Sequence, residues 1–190
     1  MDGAGFALFD TAIGRCGIAW GPRGIRALCL PDASEAKTRA RLRRRSGAPA
    51  ETEPPPPVRD AIGRIGRLLA GEPVDLEDVA IDLAGEPDFH RAVYALARRI
   101  PPGATRTYGD LAKELGDIAL ARAVGQALGR NPVPLVVPCH RVLGAGGRPG
   151  GFSAPGGLAT KLHLLAVESR HGAAPLLPFA TEPAEAPRQG

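Results

Sequence analysis

Twenty-five glycines and twenty prolines punctuate this chain of 190 residues. Backbone breakers at that density argue against a long-helix bundle or a coiled coil. They do not amount to wholesale disorder, because 44% of the residues are hydrophobic and only 23% are charged. The length suits one domain or two small ones, with a core that needs no disulfide or metal staple. No apolar run is long enough to cross a bilayer. The opening MDGAGFALFD lacks the basic and apolar regions of an export signal. With three cysteines and no such signal, the expected setting is a reducing cytoplasm, without disulfides or membrane association.

Local patterning divides the chain. Residues 6–30 read as two strands of a hairpin: Cys16, Ile18 and Trp20 alternate with Gly17 and Ala19, Gly21-Pro22-Arg23-Gly24 supplies the turn, and Ile25, Ala27 and Cys29 continue. Residues 35–45 predict a helix with six basic residues and few apolar anchors, read as a solvated face in preference to a nucleic-acid contact. Residues 46–57 read as a Pro-rich linker, residues 58–70 as a helix with Val58, Ile62, Ile65 and Leu69 on one stripe, and residues 79–83 as a short strand. Gly85-Glu86-Pro87 marks a boundary, which gives a sheet-containing region over 1–84 and a second domain over 86–171. In the second, Asp88 is positioned to cap a helix carrying Phe89, Val93, Leu96 and Ile100, closed by Pro101-Pro102-Gly103. Thr107 and Asp110 have capping-box spacing for a helix ending at Gly116. A further helix spans about 119–128, with Ala121, Val124 and Leu128 inward and Gly129 as its stop, so the pair has helix-turn-helix proportions. Three prolines make residues 131–142 extended, and a Gly-rich loop over 144–157 follows. The last helix carries Leu158, Leu162, Leu165 and Val167, stops near Gly172, and leaves a disordered tail over 173–190.

Charge is uneven. The whole chain is +4, yet residues 88–170 carry eleven Lys or Arg against five Asp or Glu. A basic second half fits a polyanion partner.

The densest chemistry is Pro138-Cys139-His140-Arg141-Val142. A thiol reacts as thiolate and needs a nearby cation, base or dipole. His140 is adjacent, but in an extended segment neighbours point apart, so it reaches the sulfur only through a bend or a bridging water. Cys16 and Cys29 have no His nearby and read as buried small hydrophobes.

Four blocks occur in one order: TYGDLA, ARAVGQALGRNPVP, VPCHRV and GGFSAPGGLATKLHLLAVE. Over residues 89–168 they resemble the catalytic domain of the O6-alkylguanine-DNA alkyltransferases, the methylated-DNA–protein-cysteine methyltransferases. Residues 1–84 match only weakly, as the small sheet-containing N-terminal domain of such proteins. The resemblance implies an α+β fold: a small antiparallel sheet with one or two helices, then a mostly helical, winged-helix or helix-turn-helix-like domain. It implies that Cys139 accepts the alkyl group of O6-alkylguanine once and irreversibly, with O4-alkylthymine as a second candidate substrate. His140 matches the residue that takes the thiol proton through a water, and Glu168 the carboxylate that orients it. Tyr108 matches the donor to the base edge, which also crowds the 3′ phosphate. Arg122 matches the finger inserted through the minor groove of double-stranded DNA when the damaged base is flipped out. Small neighbours Ala121, Ala123 and Gly125 let its helix approach DNA, and Arg130 is a further DNA contact. Ser153, Val142, Pro134, Leu128 and Phe152 border the base and alkyl pocket. Asn131 matches a hinge between the recognition helix and the active-site strand. Arg130, Arg141 and Arg148 stand as candidate phosphate contacts.

The chain also departs from the family. The Cys/His cluster with which some members hold zinc is absent, so no metal and no cofactor are expected. Gly116-Asp117-Ile118-Ala119 replaces the Pro, Ser or basic turn of many members. A monomer is expected. Two other readings stand beside the main one. A non-catalytic sensor of alkylated DNA would lack the Cys at position 139. A cysteine hydrolase using Cys139, His140 and Glu168 would need an oxyanion hole and would leave Arg122 and Tyr108 unexplained.

Overall fold

The computed structural model describes residues 3–48 and 50–169. The N-terminal sheet has three strands where two were expected: β1 (Gly5–Thr11), β2 (Gly14–Gly21) and β3 (Gly24–Cys29), antiparallel in that order. The first strand, GFALFDT, hid because Phe6-Ala7-Leu8-Phe9 is a continuous apolar run without period-2 alternation. Register places Phe9 opposite Cys16 and Ile18 opposite Leu28, with an irregularity at Ala19/Trp20.

The strand expected over 79–83 is only a one-residue bridge, Ile25 to Ile81. Ile25 N–H donates to the Ala80 carbonyl at 2.9 Å, and Asp82 then turns the chain away by accepting from Ala84 N–H. The approach depends on Gly24, whose φ is +136° and whose Cβ, were there one, would lie 2.6 Å from the Ala80 oxygen.

Helix α1 (Glu35–Ser46) is capped by Ser34, which accepts from Lys37 N–H, and closed by Gly47 at φ 63°. It is anchored on the sheet through Thr38, Leu42 and Ser46, against Phe6, Ala19, Ala27 and Cys29. Several of its arginines are engaged locally, Arg39 with Glu35 and Glu51, and Arg41 with Asp32. The linker expected to reach residue 57 ends at Pro55. Before that, Thr52 N–H donates to Phe6 O along the edge of β1. Pro56 and Pro57 open α2 (Pro56–Leu69), where a missing N–H costs nothing. Val58, Ala61, Ile65, Leu68 and Leu69 face the core, and Ile62 is half-buried.

Helix α3 (Asp88–Arg98) begins with Asp88 inside the helix, not capping it; Pro87 is the cap and Asp88 pairs with Arg91. Its inward residues are Val93, Tyr94 and Ala97, with Phe89 and Leu96 half-buried. A two-residue parallel pair joins β4 (Arg106–Thr107) to β5 (Val142–Leu143). Helix α4 (Tyr108–Glu114) starts with the expected capping box: Asp110 N–H donates to Thr107 Oγ1 at 3.1 Å and Thr107 N–H to Asp110 Oδ2 at 2.8 Å. A 3₁₀ turn (Ile118–Leu120) precedes α5 (Ala121–Gly129), which includes Gly129 and caps at Arg130. Its inward residues are Val124, Ala127 and Leu128, while Ala121 is half-buried.

Residues 131–142 are not one extended run. Val137 N–H closes a turn onto Val133 O, Leu135 sits at φ 74°, and Cys139–Arg141 form a 3₁₀ turn. The final helix α6 (Gly157–Ser169) is rotated from the expected face: Leu158 and Leu162 are 46% and 36% exposed. Leu165 and Val167 are buried as expected, and Lys161, Leu164 and Glu168 join them in place of Leu158 and Leu162. Gly172 and the 173–190 tail lie outside the described residues.

Candidate active site

Pro138 directs the chain into the 3₁₀ turn that begins at Cys139, whose N–H donates to Val137 O at 2.8 Å. The thiol is 7% exposed and faces a cavity of about 580 Å³. Tyr108, Ala121, Arg122, Gly125, Leu128, Phe152 and Ser153 share its lining. Ala123, Arg130, Pro134 and Val142 do not line it, and Pro134 and Val142 are buried behind it. Both backbone groups of Val142 are engaged within the protein: its N–H with Cys139 O, its carbonyl with Lys161 Nζ at 2.7 Å.

Asn131, just beyond α5, uses its whole amide. Its Nδ2 donates to Val137 O at 2.8 Å and to Cys139 Sγ at 3.3 Å, and its Oδ1 accepts from Val133 N–H at 2.9 Å. The end of α5 and the thiol are thus joined through one buried side chain.

On the inner side of the turn, His140 is fully buried with Nε2 2.9 Å from Glu168 Oε1. Arg141 doubles the contact: Nε donates to Glu168 Oε2 and Nη2 to Oε1, both at 2.8 Å, and Nη1 donates to Ile100 O at 2.6 Å. Gly103 N–H also donates to Oε2, at 3.2 Å. Arg141 is therefore no phosphate contact; it is a buried counter-ion. Burial pushes the Glu168 carboxyl up, but hydrogen bonds and charge from His140 and Arg141 outweigh it and hold the group at about 2. A carboxylate at Oε1 fixes the proton on Nε2, which leaves Nδ1 as the lone-pair nitrogen. That Nδ1 is buried and has no hydrogen-bond partner among the described residues. Burial pushes His140 below its ordinary value against the pull of Glu168, which favours an imidazole able to accept a proton at Nδ1.

Burial raises the Cys139 thiol, opposed by the Asn131 hydrogen bond and then by the charge of Lys161. Lys161 is itself fully enclosed, its Nζ 5.8 Å from the centre of the Tyr108 ring. Burial pushes it down to about 8, against the attraction of Cys139. Tyr108 opens α4 and is half-buried, its hydroxyl raised by burial. Arg122 is exposed on α5 beside the cavity mouth.

Two members of this cluster escaped sequence reasoning. Arg141 looked like one more basic residue in a basic half. Lys161 was not singled out at all; its spacing of seven from Glu168 was the available signal that both share one inward face. Among the described residues no three His, Cys, Asp or Glu side chains converge as a metal site.

Residues 88–170 match the family model described as 6-O-methylguanine DNA methyltransferase, DNA binding domain. The methylated-DNA–protein-cysteine methyltransferase of Mycolicibacterium paratuberculosis is 44% identical over 128 residues, which covers 67% of this chain and 75% of that protein. The crystal structure of Mycobacterium tuberculosis O6-methylguanine methyltransferase superposes with a TM-score of 0.70 at 32% identity, over 91% of this chain and 97% of that one. Mycobacterium tuberculosis OGT in complex with DNA gives 0.68 at 32% identity, over 87% and 92%. The chain belongs to the methylated-DNA–protein-cysteine methyltransferase family.

Proposed function

We propose that this protein repairs DNA by direct reversal, with Cys139 as the acceptor of the alkyl group from O6-alkylguanine. The observation that carries the assignment is the thiol itself: it opens onto a cavity large enough for one base, with Arg122 at the mouth and the His140–Glu168–Arg141 cluster behind.

His140 Nδ1 takes the thiol proton through an intervening water, since no direct hydrogen bond joins it to Sγ. Glu168 holds the ring and stabilises the imidazolium that forms. The thiolate, favoured by Asn131 and Lys161, attacks the alkyl carbon. A C–S bond forms and the C–O6 bond breaks, its electron pair staying on oxygen. A proton returned to the base, with Tyr108 as the donor at its edge, completes guanine. The thioether is not reversed, so each molecule acts once.

The target base must leave the stack for this chemistry, at a cost of a few kcal/mol of lost pairing and stacking. Arg122 fills the space from the minor groove, and Ala121, Ala123 and Gly125 keep α5 slim enough to lie close to the duplex. Ser153 and Phe152 face the base, with Leu128 beside the alkyl group. Arg130 serves the backbone. The protein works as a monomer, and its free thiols suit the cytoplasm.

Intact mass after mixing with a duplex holding one O6-methylguanine tests the assignment. One added CH2 per protein, mapped to Cys139, is the expected result; Cys139→Ser should bind the duplex without gaining mass. Tight binding without a mass shift in the native protein would overturn it in favour of a sensor.

A further inference from the structure

We propose that Arg45, at the end of α1 in the N-terminal region, is a positioning residue for alkyl transfer: it holds the Asn131 carbonyl and thereby sets the amide that contacts the reactive thiol. The inference deepens the reading of Cys139 as acceptor and rests on it.

The Asn131-Pro132 junction is short of local donors, because proline has no N–H. Two donors arrive from the N-terminal region. Arg45 Nη2 donates to Asn131 O at 3.1 Å, and Leu28 N–H in β3 donates to Pro132 O at 2.9 Å. Two consecutive peptide planes are thus fixed from outside the segment that carries the thiol. Asn131 leads directly to Sγ through Nδ2. The platform is firm: Leu42 pins α1 to the sheet, and Gly47 N–H donates to Arg43 O to close its last turn.

The same placement adds charge. Arg45 lies near enough to lower the Cys139 thiol against burial, as it does the thiol of Cys29. The groups that lower Cys139 come from several elements, Asn131 from the junction, Lys161 from α6 and Arg45 from α1, while Tyr108 of α4 and Tyr94 of α3 are themselves raised by burial and also by the thiol's charge. Arg45 is the one supplied by the N-terminal region. An exposed arginine bonded to Asn131 O and to the Cys29 thiol adds about 1 kcal/mol per hydrogen bond to stability, so a positioning role and a structural one are separable.

The test uses the full chain with Arg45→Met and Arg45→Lys. The rate of Cys139 alkylation by free O6-benzylguanine is followed against pH, and iodoacetamide labelling of the Cys139 peptide is followed in parallel. Arg45→Met should slow transfer about tenfold and move the alkaline rise of both profiles upward by about half a pH unit. Its melting temperature should stay close to that of the native protein. Arg45→Lys, which restores the charge and a donor, should recover most of the profile. Native rate and profile in Arg45→Met would overturn the proposal, as would a rate loss with unmoved profiles. If benzylguanine leaves native Cys139 unmodified, the acceptor assignment fails, and the iodoacetamide profiles still decide whether Arg45 sets the thiol.

Discussion

Arg141 and Glu168 form a fully buried bidentate pair, Nε to Oε2 and Nη2 to Oε1 at 2.8 Å each, directly behind His140. Such a pair is costly to break, because either partner alone is an uncompensated charge in a low-dielectric interior. Arg141→Met should therefore destabilise the fold by about 3–5 kcal/mol, read from the denaturant midpoint. A loss below about 1 kcal/mol would mean that the carboxylate finds solvent when its partner is removed.

The same carboxylate sets an acid limit. Glu168 sits at about 2 in the folded state, below its ordinary value of 4.5, so its contribution is complete above the unfolded value. It should fade as the pH falls from about 4.5 toward 2. Acid titration of Glu168→Gln should show a shallower decline than the native protein over that window; parallel curves would refute the linkage.

Arg122 touches the duplex in the proposed mechanism but not the alkyl group. Arg122→Ala should slow repair of O6-methylguanine in a duplex by about a hundredfold, as expected for a lost gap-filling contact of about 3 kcal/mol. It should leave reaction with free O6-benzylguanine within about twofold. Equal losses on both substrates would remove Arg122 from the flipping step.

Gly150 lies under the Tyr108 hydroxyl. Its φ is +60°, and a Cβ there would come within 3.0 Å of Tyr108 Oη and 3.2 Å of Cε2. Gly150→Ala should push the tyrosine from its place and slow transfer, while costing only about 1 kcal/mol of stability from the left-handed backbone. Native rates in that variant would show that Tyr108 tolerates displacement.

Lys161 delivers a cation to the thiol from inside the core. Lys161→Met keeps the stem and removes the charge, and should slow Cys139 alkylation at neutral pH by about tenfold or more. Val142 would also lose the donor on its carbonyl. A native rate would mean that Asn131 and Arg45 suffice to favour the thiolate without Lys161.

Local signals made much of this molecule readable from its sequence. Thr107 and Asp110 announce the start of α4 because a capping box is a contact within four residues. Cys139, His140, Glu168, Tyr108 and Arg122 stand in motifs, and the fold brings the thiol, the tyrosine and the arginine to one cavity. What stayed hidden depends on distant partners. Arg141 is a counter-ion only because α6 returns Glu168 to it, and Lys161 is inward because the fold sets its ammonium against the Val142 carbonyl. The first strand lacked alternation because both its faces are covered, one by α1 and one by the main core. The 79–83 segment alternates like a strand but meets β3 at a single residue.

The placement of the charges divides the protein by its response to ionic strength. Lys161 acts on the thiol, and His140 and Arg141 on Glu168, from positions that mobile ions do not reach, whereas Arg122 and Arg130 stand in solvent. Added salt weakens the field of exposed arginines and leaves the buried charges untouched. Under the proposed function, the encounter with DNA is therefore tuned by ionic strength, whereas the buried charges set Cys139 independently of it and only the share supplied by exposed Arg45 follows the surroundings.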